Sequence, residues 1–264
     1  PALMRWLCAC AREAGADVAL GEPWEGGMRI AGGWRTAGGR EARFLVGADG
    51  PASRVARDCA LGRNARFLFG VEAELAGATL AEPGRLHCFL DAKRARGYLG
   101  WAFAGVGIVQ VGLACARAPD APLPDVDAFV AAIAARAGLA GGDVVARRAG
   151  LIPVGGPVAP RAGDRVLLVG DAAGLVSPLT AGGIHTALAS GTRAGAAIAQ
   201  ALADDAGGRL VVDPPVPRFR VKRGMRAFYD RVQSDVLFDA AIGSAAFAAL
   251  AHRVFFHQRG KASA

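Results

Sequence analysis

Asp171 and the small residues that follow it form the segment of this sequence best suited to bind a ligand. The segment VLLVGDAAGLVSPLTAGGIHTA, residues 166–187, predicts a buried strand, a turn at Asp171, a glycine-containing loop and an alanine-rich helix. In open α/β sheets, ligands bind where strands end, and a carboxylate there can accept hydrogen bonds from sugar hydroxyls. Gly182 and Gly183 permit close approach, and the free N–H groups that begin the helix favour an anion. The pattern indicates a site for a nucleotide-type or phosphate-bearing ligand.

A second strand-end aspartate occurs more than 100 residues earlier. The segment FLVGADGPASRVARDCALG, residues 44–62, predicts a strand that ends at Asp49-Gly50 and a helix with Ser53 as its N-cap. Taken alone, each segment also fits an ordinary connection between a strand and a helix. Two such turns in one chain can hold two parts of an extended dinucleotide. Their presence together disfavours the interpretation that both are ordinary connections.

The surrounding elements predict an α/β chain with a β-rich insertion. We expect a helix over residues 2–14 and short strands over 17–20, 27–31 and 34–38. The apolar run ARFLVGADG is typical of a strand buried on both faces of a parallel sheet. Residues 67–114 predict a mostly antiparallel sheet. After it come a helix capped by Asp125 or Asp127, which ends at Gly138, and a further strand near 143–152.

The composition restricts the partners and the compartment. The formal net charge is +8, and residues 209–264 hold ten Lys and Arg against four Asp. This tail predicts a solvated basic face followed by a packed helix over 237–256; a peripheral membrane contact is the alternative. Its basic run has little aromatic interleaving, so we expect no nucleic acid. Neither a signal peptide nor an apolar span is found, which favours a cytoplasmic location.

The two turn motifs resemble the second and third flavin fingerprints of the p-hydroxybenzoate hydroxylase superfamily of FAD-dependent oxidoreductases. GADGPASRVAR and GDAAGLVSPLTAGGI are most similar to the forms found in the geranylgeranyl reductase family, and GYLGWAFAG resembles the aromatic stretch of its β-sheet. The resemblance implies FAD as cofactor and NADPH or NADH as co-substrate. It also implies a hydrophobic small-molecule substrate; the oligomeric state is left open.

The resemblance implies roles for individual residues. Those implied to bind FAD are Asp49, Gly50, Gly170, Asp171, Ala172, Pro178, Gly182, Gly183 and Ile184. Asp171 would bind the ribityl or ribose region, Asp49 and Gly50 would lie near the pyrophosphate, and the last four would border the flavin ring. The substrate side would be lined by Tyr98, Trp101 and Phe103.

His185 and the cysteines are considered separately from these roles. His185 lies two residues beyond Gly183 and is the one candidate acid; a helix residue without a catalytic role is the favoured alternative. The five cysteines lack the spacing of a zinc site or a disulfide framework, and no metal is expected.

The family's N-terminal GxGxxG motif is absent from this sequence. We therefore expect a three-layer Rossmann-like FAD/NAD(P)-binding domain that is N-terminally truncated, beginning about 100 residues into the usual family length. The expected parts are FAD-binding residues 1–62, an antiparallel β-sheet substrate domain over 63–150, FAD-binding residues 151–208 and a helical C-terminal tail over 209–264.

Three functions fit these observations. The first is an FAD-dependent reductase of C=C bonds in an isoprenoid or lipid-like substrate. The second is an FAD-dependent monooxygenase or halogenase of the same superfamily. The third is a non-catalytic fragment or binding module, which the missing GxGxxG motif favours.

Overall fold

The computed structural model describes residues 2–117, 122–205 and 207–231, together with residues 244, 245 and 249. The helices in this part are α1 (Ala2–Glu13), α2 (Arg54–Asp58), α3 (Val126–Ala137), α4 (Ile184–Ala203) and α5 (Arg220–Tyr229), with a 3₁₀ helix at Gly170–Ala173. The strands are β1 (Gly27–Ile30), β2 (Gly33–Thr36), β3 (Glu41–Ala42), β4 (Leu45–Gly47), β5 (Phe67–Ala76), β6 (His87–Phe89), β7 (Gly100–Ala104), β8 (Ile108–Ala116), β9 (Asp143–Pro153), β10 (Ala162–Gly163) and β11 (Val166–Leu168).

The strands form three sheets. The first has the order β1-β2-β3, the second β10-β11-β4, and the third β6-β7-β8-β5-β9. Pairing is antiparallel throughout except between β4 and β11, which run parallel. The mixed α/β class with an antiparallel sheet is confirmed. Strand β9 runs along β5, so the boundary expected at residue 150 falls inside a strand of the five-stranded sheet.

Helix α3 covers one face of the five-stranded sheet. Its Phe129 and Ile133 pack against Ala73, Val111 and Leu113, all nearly inaccessible to solvent. The residues that alternate with these along each strand point to the opposite face of the sheet. They include residues 70, 72, 101, 103 and 112. That second face is directed toward the loop before α4.

The ends of α3 follow from local sequence. The side chain of Asp125 accepts a hydrogen bond from the Ala128 N–H at 3.0 Å, so Asp125 rather than Asp127 is the N-cap. Gly138 ends the helix in the left-handed conformation, with φ of 58°. A Cβ at this position would also lie 2.5 Å from Ala81 Cβ, which leaves room only for glycine.

Strands β4 and β11 bring the two turn motifs together. Leu45 pairs with Val166 and Gly47 with Leu168, so both carboxyl ends lie at one edge of the sheet. The parallel neighbour expected for the strand that ends at Asp49 is therefore confirmed. Burial on both faces is wrong for β4: Gly47 packs against α2 and Leu168, whereas Val46, on the other face, is 40% exposed.

Two further expectations for the ends of the chain differ from the structure. Residues 17–20 do not form the short strand that was expected there. In the tail expected over 209–264, the described residues contain α5; apart from residues 244, 245 and 249, the apolar segment 237–256 lies outside the described residues. Within the described part of the chain, no helix is long and apolar enough to cross a membrane.

Candidate functional site

The Asp49 turn is held by hydrogen bonds from the start of α2. One carboxylate oxygen of Asp49 accepts from Ser53 Oγ at 2.6 Å, and the other accepts from the N–H groups of Arg54 at 2.7 Å and Val55 at 3.0 Å. Ser53 Oγ in turn accepts from the Ala56 N–H. Both oxygens of Asp49 thus stabilise the start of the helix, and the neighbouring Gly50 has a φ of +82°. The predicted cofactor contact of Asp49 stays a prediction.

The Asp171 turn leaves its carboxylate available. Asp171 lies in the 3₁₀ helix that follows β11, with the small residues Gly170 and Ala172 buried on either side. Within the described residues, its carboxylate accepts no hydrogen bond from the protein, and burial of the side chain raises its pKa above the ordinary value. A half-buried carboxylate without a donor is suited to accept hydrogen bonds from ligand hydroxyls.

The N-terminus of α4 lies beside this carboxylate. Gly183 is the N-cap and no side chain caps the helix, so its first N–H groups present a partial positive charge. A Cβ at Gly183 would stand 3.2 Å from Asp171 Oδ1 and 3.0 Å from Val176 Cγ2, so glycine is what permits this approach. The carboxylate and the helix terminus therefore offer an acceptor and a positive field at one place.

Hydrogen bonds from α4 fix the loop between the carboxylate and the helix. The Thr186 hydroxyl donates to the carbonyl oxygens of Leu175 and Gly183. Ser190 Oγ accepts from the Gly170 N–H at 3.0 Å, which holds the other end of the turn. Both ends of the loop are thus attached to one 20-residue helix.

Asn64 joins the two turns and was missed from the sequence. Its side-chain amide donates to the Pro51 carbonyl at 3.0 Å and to the Asp171 carbonyl at 2.8 Å. One half-buried side chain therefore holds the Gly50 turn and the Asp171 turn in a fixed relation. No local pattern marks this residue, because its partners lie 13 and 107 positions away.

A cavity of about 500 Å³ opens between these turns. Its lining includes Ser53, Asn64, Ala172 and the exposed residues Arg57 and Arg63. The two guanidinium groups give the cavity a positive character that suits phosphate groups. Arg57 lies within the turn segment 44–62 and Arg63 directly follows that segment; no cofactor role was predicted for either residue.

The open face of the five-stranded sheet carries the predicted substrate residues. Trp101 lies over Gly112, where a Cβ would approach its ring to 2.4 Å. The Trp101 indole N–H donates to Glu72 at 3.0 Å, and the Gln110 amide donates to the second oxygen of the same carboxylate at 3.0 Å. Glu72 thus fixes the ring of Trp101, and Gln110 fixes Glu72. Neither Glu72 nor Gln110 was predicted.

An apolar cluster connects this face to the loop before α4. Leu68, Tyr98, Ala114 and Val154, here called the Tyr98 cluster, are buried together, and Trp101 and Ala181 pack against them. Burial raises the pKa of Tyr98 well above its ordinary value, so the phenol stays neutral at physiological pH. The sheet face thus meets the loop at Ala181, directly before Gly182 and Gly183.

The remaining predicted residues differ in exposure. Phe103 is half-buried on the same face as Trp101, and Pro178 is fully buried in the loop. Gly182 and His185 are exposed, and Ile184 is 71% exposed. The structure places Gly170 and Gly183 next to Asp171. The role of each predicted residue toward FAD or substrate stays a prediction.

The residues present fit the flavin half of an FAD molecule. Asp171 offers an unused acceptor for hydroxyl groups, the uncapped start of α4 faces it, and two arginines line the adjoining cavity. These are the groups that would bind a ribityl chain, an anionic ring edge and phosphate oxygens, respectively.

Comparisons with known proteins agree with this geometry. The family described as "FAD binding domain" matches residues 35–213. A digeranylgeranylglycerophospholipid reductase of Methanopyrus kandleri is 32% identical over 232 residues, covering 76% of this chain and 54% of that protein. One from Methanosphaera stadtmanae is 34% identical over 187 residues, covering 62% and 42%. The chain spans about half the length of the curated relatives it matches.

Solved structures show the same fold at lower identity. A geranylgeranyl bacteriochlorophyll reductase-like protein of Thermoplasma acidophilum superposes with a TM-score of 0.74 at 20% identity, covering 94% of this chain and 70% of that one. A flavin-dependent brominase gives a TM-score of 0.57 at 16% identity, covering 84% and 57%. The expected Rossmann-like FAD-binding fold class is thereby confirmed.

Proposed function

The chain belongs to the FAD binding domain family, and from this we propose that it is an FAD-dependent reductase of C=C bonds in an isoprenoid or lipid-like substrate, with NADPH or NADH as electron donor. The observation that carries the proposal is the Asp171 carboxylate, which accepts no hydrogen bond from the described residues and lies beside the start of α4, which has no side-chain cap there. The names of the similar reductases support the choice of substrate class.

FAD, when bound, would supply the transfer of hydride from a nicotinamide to a carbon–carbon double bond. The protein's part is to hold the ring and to orient the substrate. Asp171 would accept hydrogen bonds from the ribityl hydroxyls, and the N–H groups that begin α4 would stabilise negative charge at the ring edge. The backbone at Gly50 and the arginines of the first cavity would hold the phosphates.

The open sheet face covers the reacting region from the other side. Trp101, held by Glu72 and Gln110, presents a rigid aromatic surface, and the Tyr98 cluster excludes water next to Ala181. An apolar substrate chain would lie on this surface against the flavin.

Titration of the 264-residue chain with FAD tests the cofactor half of the proposal. We expect stoichiometric binding with quenching of the flavin fluorescence, weakened in Asp171→Asn and unchanged in Gly84→Ala, a glycine with open space around it. A chain that binds no FAD would instead behave as a non-catalytic module.

The reaction itself is tested by anaerobic assay. Flavin reduced by NADPH should be reoxidised when a geranylgeranyl-bearing lipid is added, with a product two mass units heavier per reduced bond. Reoxidation that requires oxygen and yields a hydroxylated or halogenated product would contradict the reductase proposal in favour of a monooxygenase or halogenase.

A further inference from the structure

A second cavity, of about 430 Å³, lies apart from the residues assigned to the flavin. Its walls are the loop after β9, the residue before β5 and helix α5. The lining residues are Arg66, Val154, Gly155, Arg220, Arg223, Gly224, Arg226 and Ala227. Nothing in the proposed flavin chemistry uses this cavity.

Arg226 is the buried centre of this site. Its side chain is about 3% exposed, and one guanidinium nitrogen, Nη2, pairs with Asp230 at 2.8 Å. The other two nitrogens, Nε and Nη1, are buried without a hydrogen-bond partner in the described structure. A buried donor without an acceptor destabilises a fold, and buried arginine is rare unless it is paired. Arg226 also lines the cavity, so an acceptor bound there would lie beside this incompletely satisfied guanidinium group.

The charge of the lining also favours an anion. Four arginines line the cavity, and within the described residues Asp230 is the carboxylate that pairs with two of them, Arg66 and Arg226. The neighbouring Tyr229 adds no negative charge near neutral pH, because burial raises its pKa to about 12.

The loop after β9 is shaped to admit the arginine side chains. Gly156 has a φ of +86°, and a Cβ there would approach Arg223 Cδ to 3.0 Å. On its other side, Gly156 lies against Gly174 in the Asp171 loop, where a Cβ would stand 2.3 Å from the Gly156 carbonyl oxygen. The second cavity, here called the arginine cavity, is therefore separated from the Asp171 loop by a single glycine-containing segment of the loop after β9.

We propose that this arginine cavity binds a phosphate group, either as free phosphate or as the headgroup of a phospholipid. Arginine matches phosphate oxygens by several parallel N–H bonds, and the volume exceeds that of a monoatomic anion. Val154 lines the cavity and also belongs to the Tyr98 cluster, so a headgroup here would leave its apolar chains beside the substrate face. The headgroup source rests on the proposed function, whereas phosphate binding does not.

Calorimetric titration of the flavin-free 264-residue chain with sodium phosphate, against sodium chloride at equal ionic strength, tests the site. We expect phosphate to bind and chloride not to bind. Arg226→Met should weaken phosphate binding at least tenfold, with an unliganded melting temperature equal to or above that of the wild type. Arg218→Met, an exposed arginine outside the cavity, should bind phosphate like the wild type. Should Arg226→Met fail to fold, the exposed Arg223→Gln should weaken binding at least threefold.

Two results would overturn the proposal: equal heats from phosphate and chloride, or full phosphate affinity in Arg226→Met. If binding were instead lost in Arg57→Met, the phosphate would occupy the first cavity. To distinguish the two sources of the phosphate group, the chain is titrated with dioctanoyl phosphatidic acid and with dioctanoylglycerol, both below their micellar concentrations. A lipid headgroup is supported if phosphatidic acid binds at least tenfold more tightly than inorganic phosphate, if Arg226→Met loses this binding, and if dioctanoylglycerol does not bind. Equal affinity supports free phosphate. Because no flavin is present, failure here is distinct from failure of the reductase proposal.

Discussion

Replacement of Asn64 by alanine should weaken the connection between the two turns of the flavin site. The side-chain amide donates to Pro51 at 3.0 Å and to Asp171 at 2.8 Å, and both bonds are lost in Asn64→Ala. A net hydrogen bond contributes about 0.5–1.5 kcal/mol, so the two together contribute about 1–3 kcal/mol. Because Asn64 lines an open cavity, water can reach the freed carbonyls. We therefore expect a loss of about 1–2 kcal/mol in the free energy of unfolding.

Asn64→Asp provides a stronger and pH-dependent version of the same test. An introduced carboxylate would face two carbonyl oxygens, which disfavours its ionised form and raises its pKa in the folded state. A carboxyl group with a raised folded pKa loses stability as the pH rises above the unfolded value of about 3.9. The variant should therefore lie closer to wild type near pH 4 than at pH 7, where it should be less stable than Asn64→Ala.

Urea denaturation at both pH values, expressed as differences from wild type, measures these effects. Arg63→Ala is the matched control, because Arg63 lines the same cavity and is exposed. It should change the free energy of unfolding by less than about 0.5 kcal/mol. If Asn64→Ala matches this control, or if Asn64→Asp shows no dependence on pH relative to wild type, the bridging role is refuted.

Three further predictions address the site. Asp171→Asn should lower FAD affinity about 10- to 100-fold at pH 7, since hydrogen bonds to a charged group contribute about 1.5–3 kcal/mol. Burial raises the pKa of Asp171, so the affinity advantage of wild type over the variant should grow as the pH rises through that pKa. Fluorescence titration with FAD from pH 4 to 8 measures this dependence. Gly174→Ala should cost about 2 kcal/mol or more in urea denaturation, since φ is +67° and the new Cβ would stand 2.3 Å from the Gly156 carbonyl oxygen, whereas Gly191→Ala, in open space on α4, should be neutral or stabilising. Trp101→Phe removes the indole donor to Glu72 and should destabilise the chain by about 1–2 kcal/mol, and an unchanged denaturation midpoint would contradict that role.

The local parts of this fold could be predicted because their determinants lie within a few residues of one another. Asp125 caps the N–H of Ala128, three positions away, so the start of α3 could be predicted to lie at Asp125 or Asp127. Ser53 caps α2 in the same way. The strand-end aspartates and the glycines before α4 were likewise recognisable, because turn and helix-start signals are carried by consecutive residues.

Other features were decided by packing between distant segments. Asn64 contacts the Asp171 turn 107 positions away, and no pattern around Asn64 marks that partner. The exposure of Val46 depends on which elements cover β4, whereas its apolar sequence is the same in either case. Strand β9 pairs with β5 although about 70 residues of chain separate them. The register of such a distant pair is decided by how the strands pack in the tertiary structure.

The basic segment of α5 shows the same division most clearly. From RFRVKRGMRAFY the sequence by itself predicts a solvated basic face, and its charges appear equivalent. Only the tertiary structure distinguishes Arg226, which is 2% exposed, from Arg218, which remains in solvent. The physical reason is that charge and periodicity are properties of single residues, whereas burial and hydrogen bonding are properties of what other segments place around them.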